Sequence, residues 1–259
     1  MYDPERFAYS PARHLTSPQA TIAQFLAFRQ RLGMTKFVLT HALSYGSYCS
    51  SLRGFTSELG TSNTKVIGVI DPDTLTPEEL HVMQRADICG IRVNLYQYKA
   101  MHDVELRKRF LRAHVGAIKG SRPGWSMTCI HTHPEFWIEL KPVIEKKMDF
   151  KEIIDLLRDG HLYIKISVRA PYRVSTQAPA YMDIKPLMRA FFDADPRHVL
   201  WWSDWPHTPH MKVRLPEEAL KETPYHEVDD LAWLRSLRSL VSNEKWYALM
   251  VENPTALYG

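Results

Sequence analysis

Short apolar segments alternate with longer segments of helical periodicity along nearly the whole chain of 259 residues. The predicted strands cover residues 36–40, 65–70, 88–95, 125–133, 161–168 and 199–202. Two predicted helices start at Ser17–Pro18 and at Pro77. The other predicted helices cover residues 50–59, 102–119, 134–145, 150–158, 183–193, 228–240 and 243–250. This alternation is typical of βα units on a parallel sheet, which favours a (β/α) barrel over the alternative, a doubly wound open sheet. A complete barrel has eight strands, so the predicted barrel is distorted or incomplete.

Composition narrows the class of protein. An apolar fraction of 45% supports a sizeable core, and no linker or repeat divides residues 1–259, so we expect a single domain with an irregular segment at 1–17. The net charge of +4 is spread along the chain, which argues against a nucleic-acid partner. Three widely spaced cysteines favour a reducing, cytoplasmic location, and no apolar run is long enough for a membrane span.

Polar side chains follow the predicted strands at the points where each strand ends. They are Thr40, His41, Ser44, Asp71, Arg92, Asn94, His131, His133, Ser167, Arg169, Arg173, Asp204 and His207. In a barrel these positions meet at one mouth, where catalysis takes place. Guanidinium groups at such a mouth pair well with carboxylates, so a small anionic molecule is the expected partner.

The segment VLWWSDWPHTPH at residues 199–210 places a single carboxylate, Asp204, directly after an apolar strand. An acid between tryptophans is costly unless it has a function. The alternative is that Asp204 caps the following helix and that the histidines lie in a solvated loop.

Four motifs together resemble the amidohydrolase-2, or amidohydrolase-related, family of the metal-dependent hydrolase superfamily. They are GIRVN at 90–94, YIKISVRAPYR at 163–173, SDWPH at 203–207 and ENPTALYG at 252–259. The pattern is most similar to the 2-pyrone-4,6-dicarboxylate lactonase-like hydrolases. The resemblance implies a distorted TIM-like barrel of the metallo-dependent hydrolase type, and hydrolysis of a small carboxylate-bearing lactone or amide.

The resemblance also implies roles for individual residues. Asp204 matches the last-strand aspartate that activates water, as a general base or as a metal ligand. Arg92 and Arg173 match arginines that hold substrate carboxylates. Ser44, Tyr45 and Gly46 match a substrate-side loop, and Asn94 is expected to bind substrate as well. His207 is expected to be structural rather than catalytic.

Two parts of the family pattern are not found in this chain. The family has a first strand ending in H-x-H and a later strand ending in a D-H-x-G-like motif, and neither is present here. His131 and His133 form a weaker candidate metal pair, and the cofactor is left open between a divalent metal such as zinc and no metal. Two functions follow: a hydrolase with Asp204 as its base, or a catalytically impaired or truncated relative that only binds a small organic acid.

Overall fold

The computed structural model describes residues 1–47, 49–100, 103–119, 125–128, 157–158, 160, 163–167, 177–209 and 215–259. The chain divides into two compact units. The first comprises Met1–His133 and Pro209–Tyr225, and the second Pro134–Thr208 and His226–Gly259. A single barrel domain over residues 1–259 remains a prediction. None of the helices in the described ranges is both long enough and apolar enough to cross a membrane.

The first unit contains a parallel sheet of four strands in the order β1-β2-β3-β4. The strands are β1 (Phe37–Thr40), β2 (Thr64–Gly68), β3 (Ile88–Arg92) and β4 (Ser126–Thr128). The longer helices are α1 (Ile22–Arg31), α2 (Ser50–Leu59), α3 (Pro77–Arg85) and α4 (Val104–Ile118), and a single helical turn covers Pro216–Ala219. Val66, Ile67 and Ile91 are fully buried, as expected of parallel strands covered on both faces. The predicted alternation of strand and helix is therefore confirmed in this unit.

The first helix begins later than the sequence pattern predicted. Thr21 caps it, because its side chain accepts a hydrogen bond from the Gln24 N–H while the Gln24 side chain accepts one from the Thr21 N–H. This reciprocal capping box satisfies two donors that the first turn leaves without partners. The prediction that Ser17–Pro18 starts the helix was wrong, since both residues lie outside any helix, and a proline after a serine is also compatible with irregular backbone.

The second unit is built on two parallel strands, β5 (Ile164–Ser167) and β6 (Val199–Trp202), with Ile164 opposite Val199. Its helices are α5 (Lys185–Ala194), α6 (Asp230–Arg238), α7 (Asn243–Tyr247) and α8 (Asn253–Tyr258). Phe192, Val199, Trp233 and Leu237 lie in its core, each at most 1% exposed. The predicted helix 134–145 and most of the predicted helix 150–158 lie outside the described residues.

The terminal motif ENPTALYG is helical, although the last predicted helix ended at residue 250. A π-helical turn at Ala248–Glu252 continues α7 into α8. Pro254 does not interrupt the helix, because it lies in the first turn of α8, where a backbone N–H is not needed.

Asn253 attaches this motif to the beginning of β6. Its Nδ2 donates hydrogen bonds to the carbonyls of Pro196 and Val199, both at 2.7 Å, and the residue is buried. At the other end of the motif, the Tyr258 ring lies 5.6 Å from Lys165 Nζ, which also lies 4.5 Å from the Trp202 ring. The motif thus supports both strands of the second unit.

We expect Asn253→Ala to lower the free energy of unfolding by about 1–3 kcal/mol, the cost of leaving buried carbonyls without a donor. Chemical denaturation of wild type and variant measures this difference. Asn243→Ala, at the exposed start of α7, is the matched control and should change stability by about 0.5 kcal/mol or less. Equal losses for the two variants would contradict the anchoring role of Asn253.

Candidate functional site

Asp204 lies at the carboxyl end of β6, two residues beyond Trp202. Its backbone has a φ of 57°, in the left-handed region that non-glycine residues adopt at a cost and that aspartate tolerates better than most. The residue is partly buried. The next helix in the described part of the chain begins at Pro216 with Leu215 as its N-cap, so Asp204 does not cap it.

Hydrogen bonds close the turn that presents Asp204. The His207 N–H donates to the Asp204 carbonyl at 2.9 Å, and the Trp205 N–H donates to Ser203 Oγ at 3.2 Å. His207 also has a positive φ, 65°. Two left-handed residues within four positions make this a tight turn that surrounding contacts must hold in place.

His207 connects this turn to α6. Its Nε2–H donates to Asp230 Oδ2 at 3.0 Å, and both side chains are less than one-tenth exposed. The carbonyl of His207 accepts a hydrogen bond from the His226 N–H at 2.9 Å. These contacts give His207 a supporting role beside Asp204, which is the role that the sequence predicted.

The entry to β6 is held by a second acidic residue, Asp195. Its carboxylate accepts hydrogen bonds from the Arg197 side chain and backbone and lies 2.9 Å from His198 Nδ1. The Arg197 guanidinium lowers the pKa of Asp195 to about 2, so this carboxylate is charged at neutral pH. Both ends of β6 are therefore fixed by side-chain contacts.

Arg92 is the last residue of β3 and is buried in the first unit. Its guanidinium Nη1 donates to the carbonyl of His41 at 3.1 Å. The His41 N–H in turn donates to the carbonyl of Ile67 at 2.9 Å, extending the β1–β2 pairing by one residue. Arg92 and His41 thus lie together at the carboxyl edge of the four-stranded sheet.

Ser44 and Tyr45 bind the N-terminal segment of the first unit. Ser44 Oγ donates to the carbonyl of Leu15 at 2.8 Å, and the Tyr45 hydroxyl accepts from the Asp3 N–H at 2.7 Å. Both residues are buried, and burial raises the pKa of Tyr45 above its usual value. A substrate-binding role for either residue remains a prediction.

A cavity of about 1330 Å³ lies in the first unit beside the loops that follow β1, β2 and β3. Its lining includes Gly46, Asp71, Asn94 and Tyr96, and the Tyr96 ring stacks on His14 with centroids 4.4 Å apart. Asn94 is the one predicted substrate-binding residue of this unit that lines it. The Asn94 side chain also accepts a hydrogen bond from the Gln97 N–H at 3.3 Å.

Three predicted residues, Arg173, His131 and His133, lie outside the described residues. Within the described ranges, no group of three histidine, cysteine or acidic side chains is placed to hold a metal ion. The roles of Asp204 as a general base or a metal ligand, and of His131 and His133 as metal ligands, remain predictions.

Sequence analysis missed Asn253 and Asp230 as supporting residues. Asp230 follows Asp229, whose side chain caps α6 by accepting from the Ala232 N–H at 2.9 Å. In the sequence, Asp229 and Asp230 are equally compatible with the start of a helix. Only the tertiary contact with His207 identifies Asp230 as the residue that supports the turn.

Comparison with solved structures establishes the class of fold. A probable 2-pyrone-4,6-dicarboxylic acid hydrolase from Acinetobacter baumannii, with citric acid bound, superposes with a TM-score of 0.63 at 21% identity, over 94% of this chain and 91% of that one. An amidohydrolase from Burkholderia multivorans with bound zinc gives a TM-score of 0.58 at 13% identity, over 93% of this chain and 88% of that one. The chain therefore has the TIM-like α/β fold of the amidohydrolases, as the sequence predicted.

Curated relatives are similar over nearly the whole chain. The 4-sulfomuconolactone hydrolase of Hydrogenophaga intermedia is 26% identical over 273 residues, covering 98% of this chain and 84% of the relative. The 2-pyrone-4,6-dicarboxylate hydrolase of Comamonas testosteroni is 25% identical over 279 residues, covering 97% and 85%. No family model matches the chain. The relatives confirm the resemblance to lactonase-like hydrolases of the amidohydrolase-2 family.

We expect Asp230→Ala to lower the free energy of unfolding by about 1–3 kcal/mol, because His207 loses a buried acceptor. Glu227→Ala, an exposed acid just before α6, is the control and should change it by about 0.5 kcal/mol or less. Thermal or denaturant unfolding measures both variants. An Asp230→Ala protein as stable as the control would show that this contact does not hold the turn.

Proposed function

We propose that this protein hydrolyses a small carboxylate-bearing lactone, with Asp204 as the general base. The observation that carries the proposal is the position of Asp204, a partly exposed residue at the carboxyl end of β6 in a tightly held turn. Catalytic groups of TIM-like folds lie at this end of the strands. Two relatives are named as hydrolases of a sulfomuconolactone and a pyrone dicarboxylate, both of which are lactones with anionic substituents.

The reaction follows from the chemistry of a carboxylate base. Asp204 takes a proton from a water molecule, and the resulting hydroxide adds to the lactone carbonyl carbon to form a tetrahedral intermediate. Collapse of the intermediate breaks the bond between this carbon and the ring oxygen. The ring oxygen takes the proton from Asp204, so the product is an open-chain hydroxy acid and the base is regenerated.

We assign to Arg92 the role of binding the substrate carboxylate. Its guanidinium is buried at the end of β3, where one Nη donates to a carbonyl. Guanidinium groups pair with carboxylates through two parallel hydrogen bonds, and burial strengthens such pairs relative to water. Arg173 is assigned the same role on the basis of its motif.

The substrate is thus a small anion, and we assign no nucleic-acid partner because the net charge of +4 forms no basic stripe. A cytoplasmic location is proposed from the sparse, odd number of cysteines. Zinc, or another divalent metal, would be held by His131 and His133, and no step of the reaction above depends on it.

We expect Asp204→Asn to lower kcat for a pyrone dicarboxylate lactone by about 10²–10⁴-fold, the usual contribution of a general base. An absorbance assay of lactone ring opening measures kcat for the variant and the wild type. Asp193→Asn, an exposed acid on α5, is the control and should retain wild-type turnover. Turnover by Asp204→Asn equal to wild type would remove Asp204 from the mechanism. Binding of the acid by wild type without turnover would instead support the second function, a relative that only binds a small organic acid.

We expect Arg92→Met to weaken binding of dicarboxylates by about 1.5–3 kcal/mol, the range for a charge-assisted hydrogen bond. Calorimetric titration of pyrone, benzoate and citrate-like acids and their neutral amides measures this. Arg85→Met, on the exposed end of α3, is the matched control. A wild-type protein that binds neutral and anionic members equally would contradict the assigned role of Arg92.

A further inference from the structure

His41 is joined to three different parts of the first unit. Its N–H donates to the carbonyl of Ile67 in β2, and its carbonyl accepts from Arg92 at the end of β3. Its ring Nε2 lies 2.9 Å from the carbonyl of Gly46, at the end of the loop Leu43–Gly46. One residue therefore connects two strand ends with the loop that the family pattern places beside the substrate.

The contact with Gly46 determines the state of the imidazole ring. A carbonyl oxygen can only accept, so Nε2 carries the hydrogen and Nδ1 has a free lone pair in the neutral ring. The ring is 1% exposed, and among the described residues Nδ1 has no hydrogen-bond partner. A proton on Nδ1 would therefore have no acceptor there.

The surroundings also disfavour a charged ring. Burial, the nearby Arg92 guanidinium and the amino group of Met1 all lower the pKa of His41, to about 4, against a smaller opposing effect of the Gly46 carbonyl. The ring is neutral at physiological pH, which allows it to lie beside the Arg92 cation. Tyr45, whose ring centroid lies 6.1 Å away, completes the packing.

We propose that His41 is a positioning residue for carboxylate recognition, in which its neutral ring holds the loop Leu43–Gly46 against the end of β1, where the His41 carbonyl accepts a hydrogen bond from Arg92. This role rests on the proposed function, since it acts through Arg92 on the substrate carboxylate. Gly46 is the point of attachment. Its φ of 68° lies in the left-handed region, and the His41 hydrogen bond holds that conformation.

The test compares His41→Phe with His41→Gln in the full chain. Phenylalanine fills the space but cannot donate to Gly46, whereas the glutamine amide can. We expect His41→Phe to raise KM for a pyrone dicarboxylate lactone about tenfold, as loss of one hydrogen bond predicts, with kcat changed by less than about threefold. His41→Gln should keep KM close to the wild-type value. His81→Gln, an exposed histidine on α3, is the control.

A second readout does not depend on activity. NMR titration should give His41 a pKa near 4 in the free protein. A bound dicarboxylate on Arg92 opposes the guanidinium charge, so the pKa of His41 should rise at saturating ligand. A ring that only fills space would show no such change.

Acid stability provides a third readout with a definite sign. The unfolded chain protonates His41 near 6.5, while the native state does so only near 4. Between these values the unfolded state binds the extra proton, so stability is complete above about pH 6.5 and falls as the pH drops towards 4. His41→Gln should remove this component of the pH dependence, and His81→Gln should not.

The outcomes separate this proposal from the proposed function. Dicarboxylate binding by wild type that His41→Phe leaves unchanged, or an unshifted His41 pKa at saturating ligand, would overturn the role of His41 and leave the hydrolase proposal intact. A wild-type protein that binds no member of the acid panel would overturn the proposed function itself, together with this role. A His41→Phe protein that fails to fold leaves the decision to His41→Gln and to the NMR titration of wild type.

Discussion

The hydrogen bond between His207 and Asp230 is the contact on which the geometry of Asp204 depends. It is buried, and it connects the turn after β6 to the first residue of α6. A buried donor or acceptor without a partner costs more than the hydrogen bond itself contributes, so neither side chain can be removed cheaply. The position of the Asp204 carboxylate is therefore set by a helix that lies far from it in the sequence.

Buried polar side chains also hold the beginning of β6. Asn253 donates to carbonyls at the beginning of the strand, and Asp195 organises the residues that lead into it. The strand is thus fixed at its beginning and at its exit by polar side chains. A general base must be held within hydrogen-bond reach of its water, so a rigid strand and a rigid turn are what the proposed mechanism requires.

Much of the fold could be predicted from local patterns in the sequence. The helix Ser50–Leu59 has the predicted bounds, and all six strands are present, several of them shorter than predicted. Strand lengths were overestimated because buried apolar residues continue past the end of the strand, as Ile70 does after β2. The start of α1 was wrong because a capping box at Thr21 outweighs a proline signal.

The site could be predicted only in part. Asp204 and Arg92 were predicted because each lies where an apolar strand pattern ends, and the structure places both at strand ends, while their roles in the site remain predictions. Asp230, Asn253 and the central position of His41 depend on contacts between residues distant in sequence, and no local pattern records such contacts. Ser44 and Tyr45 were assigned to the substrate by the family pattern; their described contacts reach the N-terminal segment, and a substrate role remains a prediction.

The central claim is that Asp204 occupies a left-handed position for the sake of its carboxylate. Glycine adopts a φ near 57° without the cost that other residues incur there, a difference of about 1 kcal/mol. The most direct measurement is the stability and lactone turnover of Asp204→Gly in parallel. The account predicts a protein as stable as wild type, or more stable, with no turnover. A variant that is clearly less stable yet still hydrolyses the lactone would contradict it.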